Sequence, residues 1–219
     1  MQYKAAIFDM DGLLIDSEPL WQEAGAETLQ EFGITLTDEQ YHSSTGLRTE
    51  EWVDHWFRFF GLPAEKAPEA VQLTIQKAME KIDASGVVLP GVPEILHTFR
   101  HRGFKTGLAT SSPMALVDVV MRKLDIRHLF DSFTSAEFLP YGKPHPQVFL
   151  DSAVSLDVLP AACIVFEDSF NGLIAAKAAR MKCVVVPASR FINQSRWAAA
   201  DLCLESLSQF TPELLDEFF

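Results

Sequence analysis

The sequence predicts an α/β protein in which a doubly wound parallel sheet is interrupted by an inserted, all-helical cap domain. Two observations predict this fold. Short apolar runs alternate with helix-length segments that have an apolar period of about 3.6 residues, as in βαβ units. Residues 16–88 separate the first apolar run from the second and read as several helices without a strand. A simple crossover between parallel strands is far shorter, so we expect an inserted domain.

The composition is that of an ordinary globular protein, with 219 residues, 48% hydrophobic and 22% charged. A net charge of −12 argues against nucleic acid as a partner, because such binding depends on Lys and Arg contacts to phosphates. No apolar stretch approaches the roughly 18 residues of a membrane span, and the first strand begins too early for a secretion signal. We therefore expect a cytoplasmic monomer that binds neither membranes nor nucleic acids.

Three widely spaced cysteines form no CxxC motif, and we expect them to be small buried hydrophobic residues rather than disulfide partners or zinc ligands. They are Cys163, Cys183 and Cys203.

Five apolar runs are predicted strands, and helical patterns connect the last four of them. In the first of these connections, Ser112 is the predicted N-cap and Pro113 the first helical residue. Another predicted helix extends from Asn171 to Met181, after an acidic start that suits a helix N-terminus. The predicted strands are AAIFDM (5–10), FKTGLAT (104–110), SFTSAEF (132–138), ACIVFED (162–168) and KCVVVP (182–187).

The predicted domain boundaries follow from the long helical segment. Residues 1–15 and 89–219 form the predicted α/β core, and residues 16–88 form the predicted helical cap. Hinges are expected near 15–19 and 84–90. The acidic, Phe-rich tail TPELLDEFF is predicted to be a docking helix without a functional site.

Polar residues cluster at the predicted ends of the strands. The carboxyl ends of parallel strands meet at one edge of the sheet, where ligands bind in open α/β folds. Because side chains alternate along an extended chain, Asp9 and Asp11 should point to the same side. These positions together predict one site, and they comprise Asp9, Asp11, Thr110, Ser111, Lys143, Glu167 and Asp168.

The charge of this predicted site requires a cation. Asp9, Asp11, Glu167 and Asp168 carry −4 and Lys143 carries +1, which leaves −3. Two like charges at about 4 Å repel by about 4 kcal/mol at an effective dielectric constant of about 20. Ligands that are all oxygen atoms suit Mg²⁺, and a site near −1 with a lysine and a threonine can then hold a phosphoryl group.

This set of motifs resembles the haloacid dehalogenase superfamily of phosphatases. The matching segments are FDMDGLLIDSEPLW, a strand that ends in Thr110, GKPHPQVF and FEDSFNGLIAAKAARM. They look most like the branch that contains β-phosphoglucomutase and small sugar phosphatases, and within it the bacterial 2-deoxyglucose-6-phosphate and hexitol phosphatases. One residue departs from the pattern. The family often has glycine where this chain has Arg180, at the end of the last crossover helix.

The resemblance implies a role for each residue of the predicted site. Asp9 would be the nucleophile and a Mg²⁺ ligand, and Asp11 would be the general acid and base that also binds the metal through its backbone carbonyl. Thr110, Ser111 and Lys143 would bind the phosphoryl group. Asp168, assisted by Glu167, would complete the metal site. The implied activity is Mg²⁺-dependent hydrolysis of small sugar or sugar-alcohol phosphates through an aspartyl phosphate.

The cap is expected to select the substrate. Arg48 lies where the family places polar residues that contact substrate, while Glu18 and Trp21 follow the first motif closely and are also expected to face the pocket. His145 is expected to order its loop. An aromatic stripe on one helix is expected to pack inside the cap, and it consists of Val53, Trp56, Phe57 and Phe60.

Two other functions remain open at this point. A mutase would use the same Asp9 chemistry but would return the phosphoryl group to a second hydroxyl of the sugar. A phospho-receiver module also places aspartates, a threonine or serine and a lysine at strand ends. A receiver, however, carries its phosphorylated aspartate after the third strand, where this chain reads SAEFLPYG.

Overall fold

The structure is a computed structural model that describes residues 3–44 and 46–218. Its strands are β1 (Ala5–Phe8), β2 (Lys105–Thr110), β3 (Ser132–Ser135), β4 (Cys163–Glu167), β5 (Lys182–Val185) and β6 (Leu202–Cys203). Its α-helices are α1 (Glu18–Glu31), α2 (Asp38–Ser43), α3 (Thr49–Phe60), α4 (Ala67–Ser85), α5 (Val92–His101), α6 (Met114–Leu124), α7 (Gln147–Ser155), α8 (Phe170–Ala178) and α9 (Pro212–Phe218).

The strands form one parallel sheet in the order β3-β2-β1-β4-β5-β6 across the described part of the chain. β1 pairs with β2 on one side and with β4 on the other. This is the point where the strand order reverses, and ligands of doubly wound folds bind beyond the strand ends at such a point. The predicted fold class is confirmed. β6, with two residues, was not predicted, because so short a strand has no pattern to detect.

Burial on both faces of the sheet explains why β1 reads as a continuous apolar run. Ala6 and Phe8 pack into one hydrophobic cluster with helices α5 and α6. Ala5 and Ile7 pack into a second cluster with α7 and α8 on the opposite face. Strands that are covered on both faces need apolar side chains at every position. The central strand therefore ends directly in Asp9 without an intervening polar residue.

Helices α1 to α4 have a hydrophobic cluster of their own, which includes Leu29, Val53, Trp56 and Phe57. The two chain connections to this segment run side by side, because Ile15 and Val88 form an antiparallel bridge. The predicted hinges fall on these connections, while the division into two domains stays a prediction. Most of the predicted aromatic stripe is buried, but Phe60 is 40% exposed beside the C-terminal end of its helix.

The predicted start of α6 is wrong. The helix begins at Met114, its N-cap is Pro113, and no side chain caps it. The hydroxyl of Ser112 instead donates a hydrogen bond to Asp11. After α8, Arg180 has a φ angle of 62°, in the left-handed region that favours glycine. Glycine at this place in the family therefore has a conformational reason.

The cysteines and the C-terminal tail do not line the site. Cys163 and Cys183 are buried as expected, whereas Cys203 is exposed, because it lies on the two-residue edge strand β6. The tail forms α9, and Leu215 on this helix packs into the main hydrophobic cluster. Phe219, the last residue of the tail, lies outside the described residues, as do residues 1, 2 and Thr45. No helix in the described residues is long and apolar enough to cross a membrane.

Candidate active site

A cavity of about 720 Å³ lies between the carboxyl edge of the sheet and helices α1 to α4. We call the sheet edge its floor and the helical side its roof. The floor is lined by Asp9, Asp11, Thr110, Ser111, Ser112, Lys143, Asp168 and Ser169. Side chains at the ends of β1, β2 and β4 are thus brought together with Lys143, which lies in the loop after β3.

Lys143 is a buried cation of the floor, with 2% of its surface exposed. Its ammonium donates hydrogen bonds to Asp9 Oδ1 and Glu167 Oε1, both at 2.5 Å, and to the carbonyl of Ala109 at 3.1 Å. Burial alone would lower the pKa of Lys143, but the charges of Asp9 and Glu167 raise it above its ordinary value. Lys143 therefore carries its charge at neutral pH.

Glu167 is fully buried at the end of β4, and both of its oxygens are engaged. Oε1 accepts from Lys143. Oε2 accepts from the backbone N–H of Asp168, and from the backbone N–H and the hydroxyl of Ser169. The hydroxyl of Ser169 also accepts from the N–H of Gly172 and so caps α8. Glu167 thus connects the lysine to the N-terminus of a helix, which stabilises a negative charge.

Three carboxylates come close enough to hold a metal ion. Asp9, Glu167 and Asp168 each offer an oxygen, and these atoms lie within 4.8 Å of one another. Burial raises the pKa of Asp9 to about 8 against the opposing effect of Lys143. Burial, together with the charges of Glu167, Glu18 and Asp9, also raises the pKa of Asp168. Oxygen donors and mutual repulsion at this cluster fit a hard divalent cation such as Mg²⁺.

Gly12 allows the chain to leave the floor. Its φ angle is +71°, and a Cβ atom at this position would lie 2.4 Å from Asp168 Oδ2 and 3.2 Å from Cγ of Glu18. A side chain would therefore be strained in its backbone and would displace a carboxylate of the acidic cluster.

Asp11 is held by hydrogen bonds from three side chains. Oδ1 accepts from the hydroxyl of Ser17 at 2.7 Å and from the indole N–H of Trp21 at 2.9 Å. Oδ2 accepts from the hydroxyl of Ser112 at 2.6 Å. The carboxylate of Asp11 is not part of the three-carboxylate cluster. The orientation of the Asp11 carboxylate is therefore set by the loop after β2 and by the start of α1.

Thr110 and Ser111 line the floor at the end of β2, where they were predicted. The hydroxyl of Thr110 accepts from the backbone N–H of Ser112 at 3.0 Å. The hydroxyl of Ser111 donates to the carbonyl of Gly46 at 3.2 Å. This second bond joins the floor to the roof.

The roof contributes three aromatic side chains to the cavity. Trp21, Tyr41 and Trp52 line it together with the predicted Glu18. Burial raises the pKa of Glu18 to about 7, and the charge of Asp11 adds to this rise while Arg190 opposes it. Aromatic faces and a carboxyl that can accept or donate hydrogen bonds suit a ligand with several hydroxyl groups. Glu18 and Trp21 both line this cavity, and their contact with substrate stays a prediction.

Arg48 does not line the cavity. Its guanidinium donates to the backbone carbonyls of Ala136 and Leu139, at 3.1 and 2.6 Å. The structure therefore places Arg48 against the loop after β3, away from the expected substrate position, because backbone carbonyls of that loop accept from Nη1 and Nη2. His145 lies in the following turn, where its Nδ1 accepts from the N–H of Gln147, in keeping with its expected role in loop order.

A family model for haloacid dehalogenase-like hydrolases matches residues 3–180. The chain belongs to this haloacid dehalogenase-like family. The site lies where the motifs that resemble the family predicted it. The match includes the strand ends from Asp9 to Asp168, and so covers the whole floor of the cavity.

Individual relatives extend the similarity to almost the full length. Hexitol phosphatase B of Escherichia coli K12 is 43% identical over 211 residues, which is 96% of this chain and 95% of the relative. The phosphorylated carbohydrates phosphatase of Thermotoga maritima is 30% identical and matches 80% of this chain and 81% of its own length. The structure of β-phosphoglucomutase from Clostridium difficile has a TM-score of 0.88, 26% identity, and coverage of 99% and 97%.

Several residues of the site were missed by the sequence reasoning. Ser17 lies in a hinge, and Ser112 was interpreted as a helix cap, so neither was expected to contact Asp11. Tyr41 and Trp52 lie on α2 and α3 and meet the cavity only through the packing of these helices. The acidic pair in FEDS was the one signal that pointed toward Ser169, the residue directly after it.

Proposed function

We propose that this protein is a Mg²⁺-dependent phosphatase of hexitol phosphates and closely related sugar phosphates. One observation carries the proposal. A buried lysine joins Asp9 to Glu167 at the floor of a cavity whose roof carries three aromatic side chains and a carboxyl group. The floor suits a phosphoryl group, and the roof suits a polyol. The identity of 43% to a hexitol phosphatase supports this substrate class.

We assign the metal to Asp9 and Asp168, with the backbone carbonyl of Asp11 as a further ligand. Glu167 lies in the same cluster, but hydrogen-bond donors already engage both of its oxygens, so we assign it charge balance and support of Lys143. When bound, Mg²⁺ would supply positive charge that lowers the pKa of the neighbouring carboxylates and neutralises the phosphoryl oxygens.

Asp9 is the proposed nucleophile. Its Oδ1 is bonded to Lys143, which leaves Oδ2 available to attack phosphorus and form an aspartyl phosphate. Lys143 holds its charge between Asp9 and the phosphoryl oxygens and offsets the repulsion between two anions. Thr110 and Ser111 supply hydroxyl donors at the end of β2.

Asp11 is the proposed proton carrier. Its carboxyl would give a proton to the leaving alkoxide and later take one from the water that attacks the aspartyl phosphate. Ser17, Trp21 and Ser112 hold this carboxyl in one orientation toward the cavity. Because a sugar alkoxide is a poor leaving group, a fixed proton donor is essential for this class of substrate.

The roof completes a cavity made by residues of a single chain, which supports our proposal of a monomer. Phosphorylated sugars are charged and stay inside the membrane that encloses them, so we also propose a cytoplasmic location.

A panel of phosphorylated hexitols, hexoses and pentoses, assayed for phosphate release with Mg²⁺, tests the proposal. We expect hexitol phosphates and 2-deoxyglucose 6-phosphate to give the highest kcat/KM. An absence of phosphate release from every sugar phosphate would refute it.

A mutase is the second candidate, and the structural similarity to β-phosphoglucomutase favours it specifically. Incubation with β-glucose 1-phosphate and a trace of its bisphosphate separates the two functions. Accumulated glucose 6-phosphate would indicate a mutase, whereas inorganic phosphate would indicate a phosphatase.

A further inference from the structure

Arg48 makes its strongest contacts with a loop that is 88 residues or more away in the sequence. Nη1 donates to the carbonyls of Ala136 and Leu139 at 3.1 and 2.6 Å, and Nη2 lies 3.4 Å from the carbonyl of Pro140. Nη2 also donates to Glu51 Oε1 at 2.9 Å. The side chain is 11% exposed. The guanidinium of Arg48 therefore contacts three backbone carbonyls of the loop that connects β3 to α7.

Glu51 extends this contact by one more bond. Its Oε1 accepts from the backbone N–H of Gly142 at 3.0 Å, in addition to the guanidinium of Arg48. Oε2 lies 3.4 Å from the backbone N–H of Arg48 at the start of α3. Since Gly142 directly precedes Lys143, Glu51 holds the backbone next to the buried lysine of the site.

Gly142 allows this close approach. A Cβ atom at this position would lie 2.6 Å from Glu51 Oε2 and 2.7 Å from Cγ of Arg48. Any other residue would force the pair away from the loop. The absence of a side chain at Gly142 thus has a steric cause in the contact between roof and loop.

The start of the loop is anchored to the core, because the N–H of Ala136 donates to the carbonyl of Thr110 and Glu137 accepts from the N–H of Met114. Its later, outer side chains are less buried. Phe138 is 86% exposed and Tyr141 is 64% exposed, so these large side chains contribute little burial. Hydrogen bonds from a charged, buried guanidinium are stronger than bonds between neutral groups. The contacts of Arg48 and Glu51 are therefore a major restraint on the loop backbone between Ala136 and Gly142.

We propose that Arg48 and Glu51 are positioning residues that clamp the loop carrying Lys143, so that the lysine is placed correctly only while the roof lies on this loop. The inference rests on the proposed phosphatase activity, because turnover is its readout. It gives Arg48 a role different from direct contact with substrate. Through the clamp, Lys143 would reach its position on the floor only when the roof covers the cavity.

Two substrates distinguish the clamp from substrate contact. A hexitol phosphate and para-nitrophenyl phosphate share the phosphoryl group that Lys143 faces, but only the first has a polyol. If the pair acts through Lys143, both substrates lose kcat. If Arg48 instead contacts the polyol, the loss is confined to kcat/KM of the hexitol phosphate.

The central experiment compares Arg48→Ala and Glu51→Ala with the matched controls Arg58→Ala and Glu50→Ala on the same helix. Because a misplacement of about 1 Å can cost about 100-fold, we expect kcat to fall about 10- to 100-fold on both substrates, with KM changed less than about 3-fold. The controls should behave like the wild type. The double variant Arg48→Ala/Glu51→Ala should be no slower than either single variant, since the two residues act as one unit.

Labelling of Lys143 gives a readout that does not depend on turnover. Lys143 is 2% exposed, and we expect an amine-reactive reagent to modify it faster in the two clamp variants than in the controls, as measured by peptide mass spectrometry. Equal labelling in all variants would contradict the clamp. So would a loss of activity confined to the hexitol phosphate, or full activity of Arg48→Ala on both substrates.

Gly142→Ala keeps the proposal testable if Arg48→Ala fails to fold. The added methyl group should push the pair from the loop and lower kcat on both substrates, while both clamp residues are still present. Full activity of Gly142→Ala would overturn the proposal. If the wild type hydrolyses para-nitrophenyl phosphate but no sugar phosphate, the proposed substrate is wrong, and the clamp is still decided with the aryl substrate.

Discussion

The floor and the roof of the cavity are built on different principles. On the floor, Lys143 lies 2.5 Å from two carboxylates, and nearly all of these groups are buried at the ends of strands in a sheet covered on both faces. On the roof, the cavity is lined by three aromatic side chains, a carboxyl group and small or hydroxyl-bearing residues, in a helical segment with a small hydrophobic cluster of its own. The floor therefore suits chemistry common to all phosphate esters, and the roof suits selection among them.

Loss of the nucleophile should have the largest effect. Asp9→Asn should fold but lose more than about 10⁴-fold in kcat on sugar and aryl phosphates alike, since an amide cannot form the acyl phosphate. Asp16→Asn, at an exposed position just beyond the floor, is the matched control and should be active. A tenth of wild-type activity in Asp9→Asn would remove Asp9 from this role.

Removal of the metal should be nearly as severe and should also act on both substrates. We expect excess chelator to abolish phosphate release and Mg²⁺ to restore it, because the charge of the acidic cluster must be balanced. The melting temperature should rise when Mg²⁺ is added, since the ion binds only the folded site. Activity that persists in chelator, with identical melting curves, would contradict a metal site at Asp9 and Asp168.

Asp11→Asn should slow the hydrolysis of hexitol phosphate much more than the phosphorylation of the enzyme by para-nitrophenyl phosphate. A lost general acid costs about 10²- to 10⁴-fold on a hexitol phosphate, but an activated aryl leaving group needs no proton. The phosphorylation step, followed in a rapid-mixing experiment, should therefore be much less impaired with para-nitrophenyl phosphate. If the phosphorylation rate falls by the same factor with both substrates, Asp11 is not the general acid.

A small change to the roof should affect selection alone. Gly25 lies in α1, and a Cβ atom there would come within 2.8 Å of the Trp52 ring. Gly25→Ala should displace this ring and raise KM for hexitol phosphate by about 10-fold, with little change for para-nitrophenyl phosphate. Ala26→Ser, on the exposed side of the same helix, is the control. Equal effects on both substrates would break the proposed division between floor and roof.

The smallest expected effect lies outside both halves. Arg180 is exposed and has a φ angle of 62°, so Arg180→Gly should relieve strain and raise the free energy of unfolding by up to about 1 kcal/mol. Arg180→Ala keeps the strain and serves as the control in denaturant titrations. Activity should be unchanged in both variants. A destabilised Arg180→Gly would show that the arginine side chain matters more than its backbone.

The floor could be predicted from the sequence because strand ends are local signals. Asp9, Thr110 and Asp168 each follow an apolar run, and the parallel order of such runs brings them to one edge. The continuous apolar run of β1, which is buried on both faces, also explains why the fold class could be recognised. These features depend on a few neighbouring residues and on a general rule of topology.

The roof could not be predicted in the same way. Arg48 was expected to contact substrate, yet its partners lie in a loop 88 to 92 residues further along the chain. Ser112 looked like a helix cap, but its hydroxyl bonds to Asp11, 101 residues earlier. The contact of Arg48 depends on how the helical segment packs on the core, whereas that of Ser112, on the floor, depends on the pairing of β1 with β2. No local pattern in the sequence records either arrangement.

The proposed division of labour rests on a covalent step at Asp9, and trapping the intermediate tests it most directly. The enzyme would be mixed with hexitol phosphate and Mg²⁺, quenched in acid within milliseconds, digested and analysed by mass spectrometry. Our account predicts a phosphorylated peptide containing Asp9 in the wild type, enriched in Asp11→Asn if dephosphorylation is slowed more than phosphorylation, and missing in Asp9→Asn. Rapid phosphate release with no phosphate on that peptide at any time point would contradict it.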